Sequence, residues 1–249
     1  MRTIYLDILA AKQRGSKLFA LLIDPDQYND DTLDDLIFYS GKGGIDFFLI
    51  GGSLVTGKTE ILISEICKKA QIPVLLYPGS LLQLTDKADG VLLLSLISGR
   101  NPELLIGNHV LAAPFLKRSN MEIIPTGYIL VEGDCYTSVE YISQTRPIPR
   151  DKKDIILSTA LAGEMLGMKM IYLEAGSGAK TSIDPETIRM VHDNIDIPLI
   201  VGGGICSGSQ LRSVYQAGAD LVVVGTAVED EPAKLEEFTE ITKSINQIE

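Results

Sequence analysis

The sequence predicts a single (β/α)8 TIM-type barrel over residues 1–249, with a reduced third helix, and three observations predict it. Eight short apolar runs alternate with amphipathic stretches along the chain. That alternation marks a parallel sheet with crossover connections, and eight strands are the number that closes a barrel. The length of 249 residues suits one such barrel, and no linker interrupts it. Glycine clusters end three of the late runs, at the face where barrels carry their binding loops. An open doubly wound sheet is the competing topology.

The elements follow in order. KLFALLID (17–24) is short and apolar throughout, as a strand buried on both faces should be. Leu33, Leu36 and Ile37 then recur at helical spacing. DFFLIGG (46–52) is the second strand, and Ile63, Ile66, Cys67 and Ala70 form the helix face behind it. IPVLLYPG (72–79) is the third strand. The SLLQLTDKA that follows is too short for a full crossover helix, and GVLLLSL (90–96) is the fourth strand. Residues 101–120 read as helix plus turn. EIIPTGYILVEG (122–133) is a fifth strand, expected to be broken at Pro125 and Gly127.

Residues 132–153 stand apart as a long polar, Pro-containing segment, the kind that serves as a lid or stays disordered. MKMIYLEAG (168–176) is the sixth strand. Asp184 and Pro185 suit an N-cap and first helical position. IPLIVGGG (197–204) is the seventh strand, a helix with Leu211, Val214, Tyr215 and Gly218 on one face follows, and DLVVVGTA (220–227) is the eighth. An amphipathic C-terminal helix, AKLEEFTEITKSINQI, closes the ring.

Composition narrows the partners. Apolar residues are 45% and charged residues 22% of the chain, the balance of a globular protein with a large core. A net charge of -11 argues against nucleic acid and anionic membranes. An anionic substrate must therefore be drawn by backbone amides, helix ends or a divalent cation. Cys67, Cys135 and Cys206 are dispersed, which suits a reducing, cytoplasmic setting without disulfides. His109 and His192 offer no zinc spacing and are expected to be ordinary helix or turn residues. No leader pattern or apolar run long enough to span a membrane is present.

Three glycine-rich strand ends carry the strongest chemical signal: Glu174, Ala175, Gly176, Ser177 and Gly178; then Gly202, Gly203 and Gly204; then Gly225 and Thr226. Glycines there let the backbone approach a ligand and aim N–H groups at it. Each alone would be a tight turn, but three in register favour a phosphate. Glu174, beyond an apolar strand, is a candidate general base or else a loop's hydrogen-bond acceptor. Asp24, Pro25 and Asp26 end the first strand, where carboxylates can hold a metal, although Asp-Pro-Asp is equally good turn chemistry.

Gly52 to Thr59 match the P-loop pattern, with Gly57, Lys58 and Thr59 closing it, after a strand and before a helix. Taken alone, that predicts a nucleotide triphosphatase. The eight-fold alternation and the late glycine sites are left unexplained by it. The other rivals are a barrel enzyme for a phosphorylated sugar or indole precursor and a non-catalytic phosphate-binding protein. The first usually needs an acid–base pair on strands one and five, and Asp24 faces only Thr126 and Tyr128 there.

LLIDPD, IGGS, GYILVEG, YLEAGSGA, VGGGI and VVVGTAVE, spread from about residue 17 to 230, together resemble the geranylgeranylglyceryl phosphate synthases. YLEAGSGA with VGGGI and GTA is the specific part. The resemblance implies a barrel with an irregular third helix, and Mg2+-dependent transfer of a prenyl group from a prenyl diphosphate to the 3-hydroxyl of sn-glycerol 1-phosphate. It implies that Asp24 and Ser53 help hold Mg2+. Tyr172, Leu173, Glu174, Ala175, Gly176, Ser177, Gly178, Gly203, Gly204, Gly225 and Thr226 would surround glycerol phosphate, with Glu174 taking the hydroxyl proton. A dimer or larger homo-oligomer is the family habit. Tyr128 is a candidate aromatic face for allylic cation character, an interaction worth about 0.5–2 kcal/mol. The prenyl chain is expected in an apolar groove near the second to fourth strands, partly covered by 132–153.

Overall fold

Short apolar runs can bury both faces only inside a layered parallel sheet, and these runs do so. The computed structural model describes residues 3–28, 30–41, 43–56 and 59–247. Among them, β1 (Leu18–Ile23), β2 (Phe47–Ile50), β3 (Val74–Leu76), β4 (Gly90–Leu96), β5 (Glu122–Leu130), β6 (Met170–Glu174), β7 (Leu199–Gly202) and β8 (Leu221–Val224) are joined in sequence order. Every neighbouring pair is parallel, and β8 pairs with β1 to close the barrel. The open-sheet alternative is thereby excluded, and with it the sheet a P-loop nucleotidase would need.

The helices are α1 (Ile4–Gln13), α2 (Asp30–Gly41), α3 (Thr59–Lys69), α4 (Asn108–Arg118), α5 (Ser138–Ser143), α6 (Lys153–Met165), α7 (Pro185–His192), α8 (Gly208–Gln216), α9 (Thr226–Asp230) and α10 (Lys234–Asn246). Between β3 and β4 stands only a 3-10 turn, Leu81–Gln83, as the short linking sequence demands. Asp184 caps α7, its side chain accepting from the Glu186 amide, with Pro185 in the first turn. Residues 132–153 are ordered: they carry α5, and Val131 pairs with Ile148.

Alternation along each strand makes two apolar layers. Phe47, Leu49, Leu75, Leu92, Ile124, Met170, Ile200 and Leu221 fill the barrel interior, and Ile4 and Ile8 of α1 plug its lower end. Phe19, Phe48, Ile50, Val74, Ile171, Leu173, Val201 and Val222 face the helices. An aspartate precedes each of three strands and serves the strand before it. Asp46, Asp89 and Asp220 accept the amides of Phe19, Val74 and Leu199 at 2.8 Å each.

One sequence expectation fails. β5 runs unbroken through Pro125 and Gly127. Pro125 lacks an N–H only on the β6 side, where the ladder starts one residue later at Thr126, and there its carbonyl still accepts the Lys169 amide at 2.8 Å, so pairing with β4 is untouched. A Cβ on Gly127 would meet Ile97 Cδ1 at 2.8 Å, so glycine there makes room for packing.

Candidate active site

The strand ends named from the sequence converge on one polar cavity of about 500 Å³ at the C-terminal face of the barrel. Asp24, Ser53, Tyr172, Glu174, Gly176, Ser177, Gly178, Gly203, Gly204, Gly225 and Thr226 all line it. Leu173 and Ala175 do not. Strand alternation turns their side chains to the layer against the helices, where the residues are 0% and 1% exposed.

Glu174 points inward from the end of β6. Its Oε1 accepts the Gly176 amide at 2.7 Å, which folds the glycine loop over the strand end. Gly203 follows from the same crowding: at φ +82° a Cβ would lie 2.3 Å from Glu174 Oε1. Burial pushes the Glu174 carboxyl up to about 7, offset in part by Tyr172 and the Gly176 amide. The Tyr172 hydroxyl stands beside this carboxylate, buried, with no bond of full hydrogen-bond geometry among the described residues. Ser177 and Thr226 bring the β6 and β8 loops together through their hydroxyls at 3.1 Å.

The first and second strand ends form the opposite wall. Asp24 Oδ1 accepts the Asp26 amide at 3.0 Å, while its Oδ2 lies against Gly52, where a Cβ would approach to 3.2 Å. Burial raises the Asp24 pKa. Asp26 turns away to Thr56, accepting its amide at 2.9 Å and its hydroxyl at 3.0 Å. The Thr56 hydroxyl is thus committed to a loop contact. Gly57 and Lys58 of the P-loop-like match lie outside the described residues. Glu229 of α9 also faces the cavity, its carboxyl pushed up to about 7 by burial and then by the charge of Asp24.

An apolar groove of about 230 Å³ leads away from this cavity. It lies where a third crossover helix would pack. Leu81 and Leu84 follow β3, Leu93 and Leu94 come from β4, and Leu104 and Ala112 face them from the α4 side. Val139 and Ile142 of α5 cover it. His109 of α4 is a wall residue of the groove, its Nε2 3.0 Å from Ser95 Oγ. His192 ends α7 and packs under Gly218.

Cavity and groove share five lining residues: Gly52, Ser53, Tyr77, Tyr128 and Val139. Tyr77, Tyr128 and Tyr172 form a buried aromatic cluster there, with ring centroids 5.3–6.3 Å apart. The segment covering the groove is latched to the glycine loop. The Lys180 amide donates to the Gly133 carbonyl at 3.0 Å, and Thr181 Oγ1 accepts from Arg150 at 2.9 Å and donates to Asp134 at 2.6 Å.

Sequence reasoning missed Tyr77, Glu229 and Gln83. Tyr77 and Gln83 were hidden inside segments read only as a strand and a linker. Glu229 sits one turn beyond Thr226, a spacing that carries no signal until β8 is known to end at the site.

Fold and site together define a (β/α)8 barrel whose strand ends build a polar cavity with an attached apolar groove. The model of the PcrB family matches residues 10–243. The geranylgeranylglyceryl phosphate synthase of Spirosoma linguale is 46% identical over 95% of each chain. That of Pyrococcus abyssi is 39% identical over 87% of this chain and 86% of its own. The structure of (S)-3-O-geranylgeranylglyceryl phosphate synthase from Thermoplasma acidophilum, in complex with its substrate sn-glycerol-1-phosphate, is 32% identical. It superposes with a TM-score of 0.91, covering 98% of this chain and 100% of the other. The chain belongs to the PcrB family, that of the geranylgeranylglyceryl phosphate synthases. Thiamine phosphate pyrophosphorylase from Pyrococcus furiosus, 17% identical with a TM-score of 0.56, shares the fold alone.

Proposed function

We propose that this enzyme joins a prenyl diphosphate, geranylgeranyl diphosphate first among candidates, to the 3-hydroxyl of sn-glycerol 1-phosphate and releases diphosphate. The observation that carries the reading is the meeting of a polar cavity with an apolar groove along shared lining residues, with Glu174 on the polar side. Such a shape suits one polar and one lipidic reactant meeting end to end. The relative with sn-glycerol-1-phosphate bound, at 32% identity, supports the polar half of the reading.

In this mechanism the glycine loops of β6, β7 and β8, with Tyr172, Ser177 and Thr226, hold glycerol phosphate. Glu174 takes the proton of the 3-hydroxyl as its oxygen bonds to the allylic carbon. The carbon–oxygen bond to diphosphate breaks, and its electron pair leaves with diphosphate. Tyr128, with Tyr77 beside it, offers an aromatic face to the cation character that develops. Most of the gain comes from holding the two reactants in line.

Mg2+ fits as a partner of the diphosphate. Among the described residues no three His, Cys, Asp or Glu side chains converge to hold a metal. Mg2+ is commonly bound by one or two carboxylates plus substrate phosphates. Asp24 and the neighbouring Ser53 supply that kind of partial set, and the bound ion would neutralise the leaving diphosphate. Free Cys67, Cys135 and Cys206 accord with a cytoplasmic setting, and no helix of the described residues is long and apolar enough to cross a membrane. A homodimer or larger homo-oligomer is part of the same proposal, by family habit.

The test is a transfer assay with radiolabelled sn-glycerol 1-phosphate, Mg2+ and geranylgeranyl diphosphate, with sn-glycerol 3-phosphate as control. Butanol-extractable label from the 1-phosphate alone, abolished by EDTA, is the expected result. No label from a ladder of prenyl diphosphates of increasing length would overturn the reading.

A further inference from the structure

We propose that Gln83 is a positioning residue for this reaction, setting the loop of Gly52 and Ser53 in place from the turn that stands in for a third helix. The inference rests on the diphosphate end of the site being where the proposed function puts it.

Gln83 is a long polar side chain only 2% exposed. Burying an amide is costly unless its hydrogen bonds are made. Its Nε2 donates to the Gly52 carbonyl at 2.8 Å. Its Oε1 accepts the amides of Gly52 and Gly79, each at 3.3 Å. One side chain therefore ties the loop after β2 to the loop after β3.

These two loops touch backbone to backbone. A Cβ on Gly79 would lie 2.3 Å from the Gly52 carbonyl oxygen and 3.0 Å from Ser53 Cα. No side chain fits between them, and the Gln83 amide seals the polar groups that this contact buries. What it fixes bears on chemistry. Ser53 lines both the polar cavity and the groove, and Gly52 lies against Asp24 Oδ2. A shift of the Gly52 backbone therefore moves Ser53 relative to Asp24, and both were assigned to the diphosphate and its Mg2+. None of the three bonds reaches the β6, β7 or β8 loops that would hold glycerol phosphate. A positioning role on one side of the site predicts a one-sided defect, whereas a purely structural staple predicts a shared one.

The experiment measures binding of inorganic diphosphate with Mg2+, and separately of sn-glycerol 1-phosphate, by titration calorimetry. It uses the full chain and its Gln83→Leu and Gln83→Glu variants, with thermal melts alongside. Gln83→Leu removes all three bonds. It should weaken Mg2+–diphosphate binding by about 10–100-fold, the usual cost of losing a residue that orients a metal site, and leave glycerol phosphate affinity unchanged. Gln83→Glu keeps both acceptor bonds but sets a carboxylate oxygen against the Gly52 carbonyl in place of the donor, so a loss in the same direction is expected. Equal weakening of both ligands, or unchanged diphosphate affinity, would overturn the proposal. So would failure of the unaltered chain to bind Mg2+–diphosphate. If Gln83→Leu does not fold, Gln83→Glu decides by the same criteria. A chain that binds Mg2+–diphosphate yet transfers no prenyl group would overturn the proposed function and leave the role of Gln83 standing.

Discussion

On the proposed mechanism, Glu174 sits where burial and function pull the same way. A carboxyl held at about 7 by burial is half-charged near neutrality, which is where a base is most effective. With a raised pKa, the proton is held below about 7 and released above it. The kcat/KM profile should therefore rise with pH through about 7. Glu174→Gln should lower kcat by about 10²–10⁴-fold while calorimetry shows glycerol phosphate still bound. The Tyr172 hydroxyl favours the charged carboxylate, so Tyr172→Phe should raise the Glu174 pKa and move the rising limb to more alkaline pH. A limb that stays in place in both variants would put the base elsewhere.

At the scale of elements, the glycine-rich ends of β6, β7 and β8 were legible because three clusters in register mean more than one. The groove was placed near the second to fourth strands only through the family resemblance. Its walls come from Leu93, Leu94 and Ala112, which in sequence are ordinary core residues. Strand positions were legible from apolar runs, yet continuity through Pro125 was not, since one missing amide is tolerated when the other ladder is intact. That the Leu173 and Ala175 side chains turn to the helix layer was not legible, because a motif carries no record of which face each residue takes. The groove yields its own test. Ala112 is 4% exposed and faces the slot left by the missing helix. On the proposed function, Ala112→Phe should lower kcat/KM for long prenyl donors far more than for short ones. A uniform loss across donor lengths would show that the chain lies elsewhere.

For the whole molecule, the buried acids set a pH dependence of stability. Glu174 and Glu229 are raised to about 7 and Asp46 to about 6, in each case mainly by burial. Groups with raised pKa values give their full stability below the ordinary carboxylate range and lose it as pH rises through 6–7. Asp134 and Asp184 are lowered, Asp134 mainly by Thr181 and Asp184 mainly by Lys153, and their contribution is lost only as pH falls below that range. The melting temperature should be highest near the ordinary carboxylate range and decline toward pH 8, a decline opposed only in part by His109 and His192, whose pKa values burial lowers. Glu174→Gln should flatten that decline, and a melt insensitive to pH between these limits would contradict it. The junction between cavity and groove has one more consequence on the proposed reading. Glycerol phosphate is gripped by the cavity alone and diphosphate leaves, but the coupled molecule stays held by its phosphate in the cavity and by its tail in the groove. Escape, more than bond making, then sets the pace of turnover: a rapid first cycle gives way to a slower steady state, and an added detergent or bilayer that accepts the lipid tail restores speed.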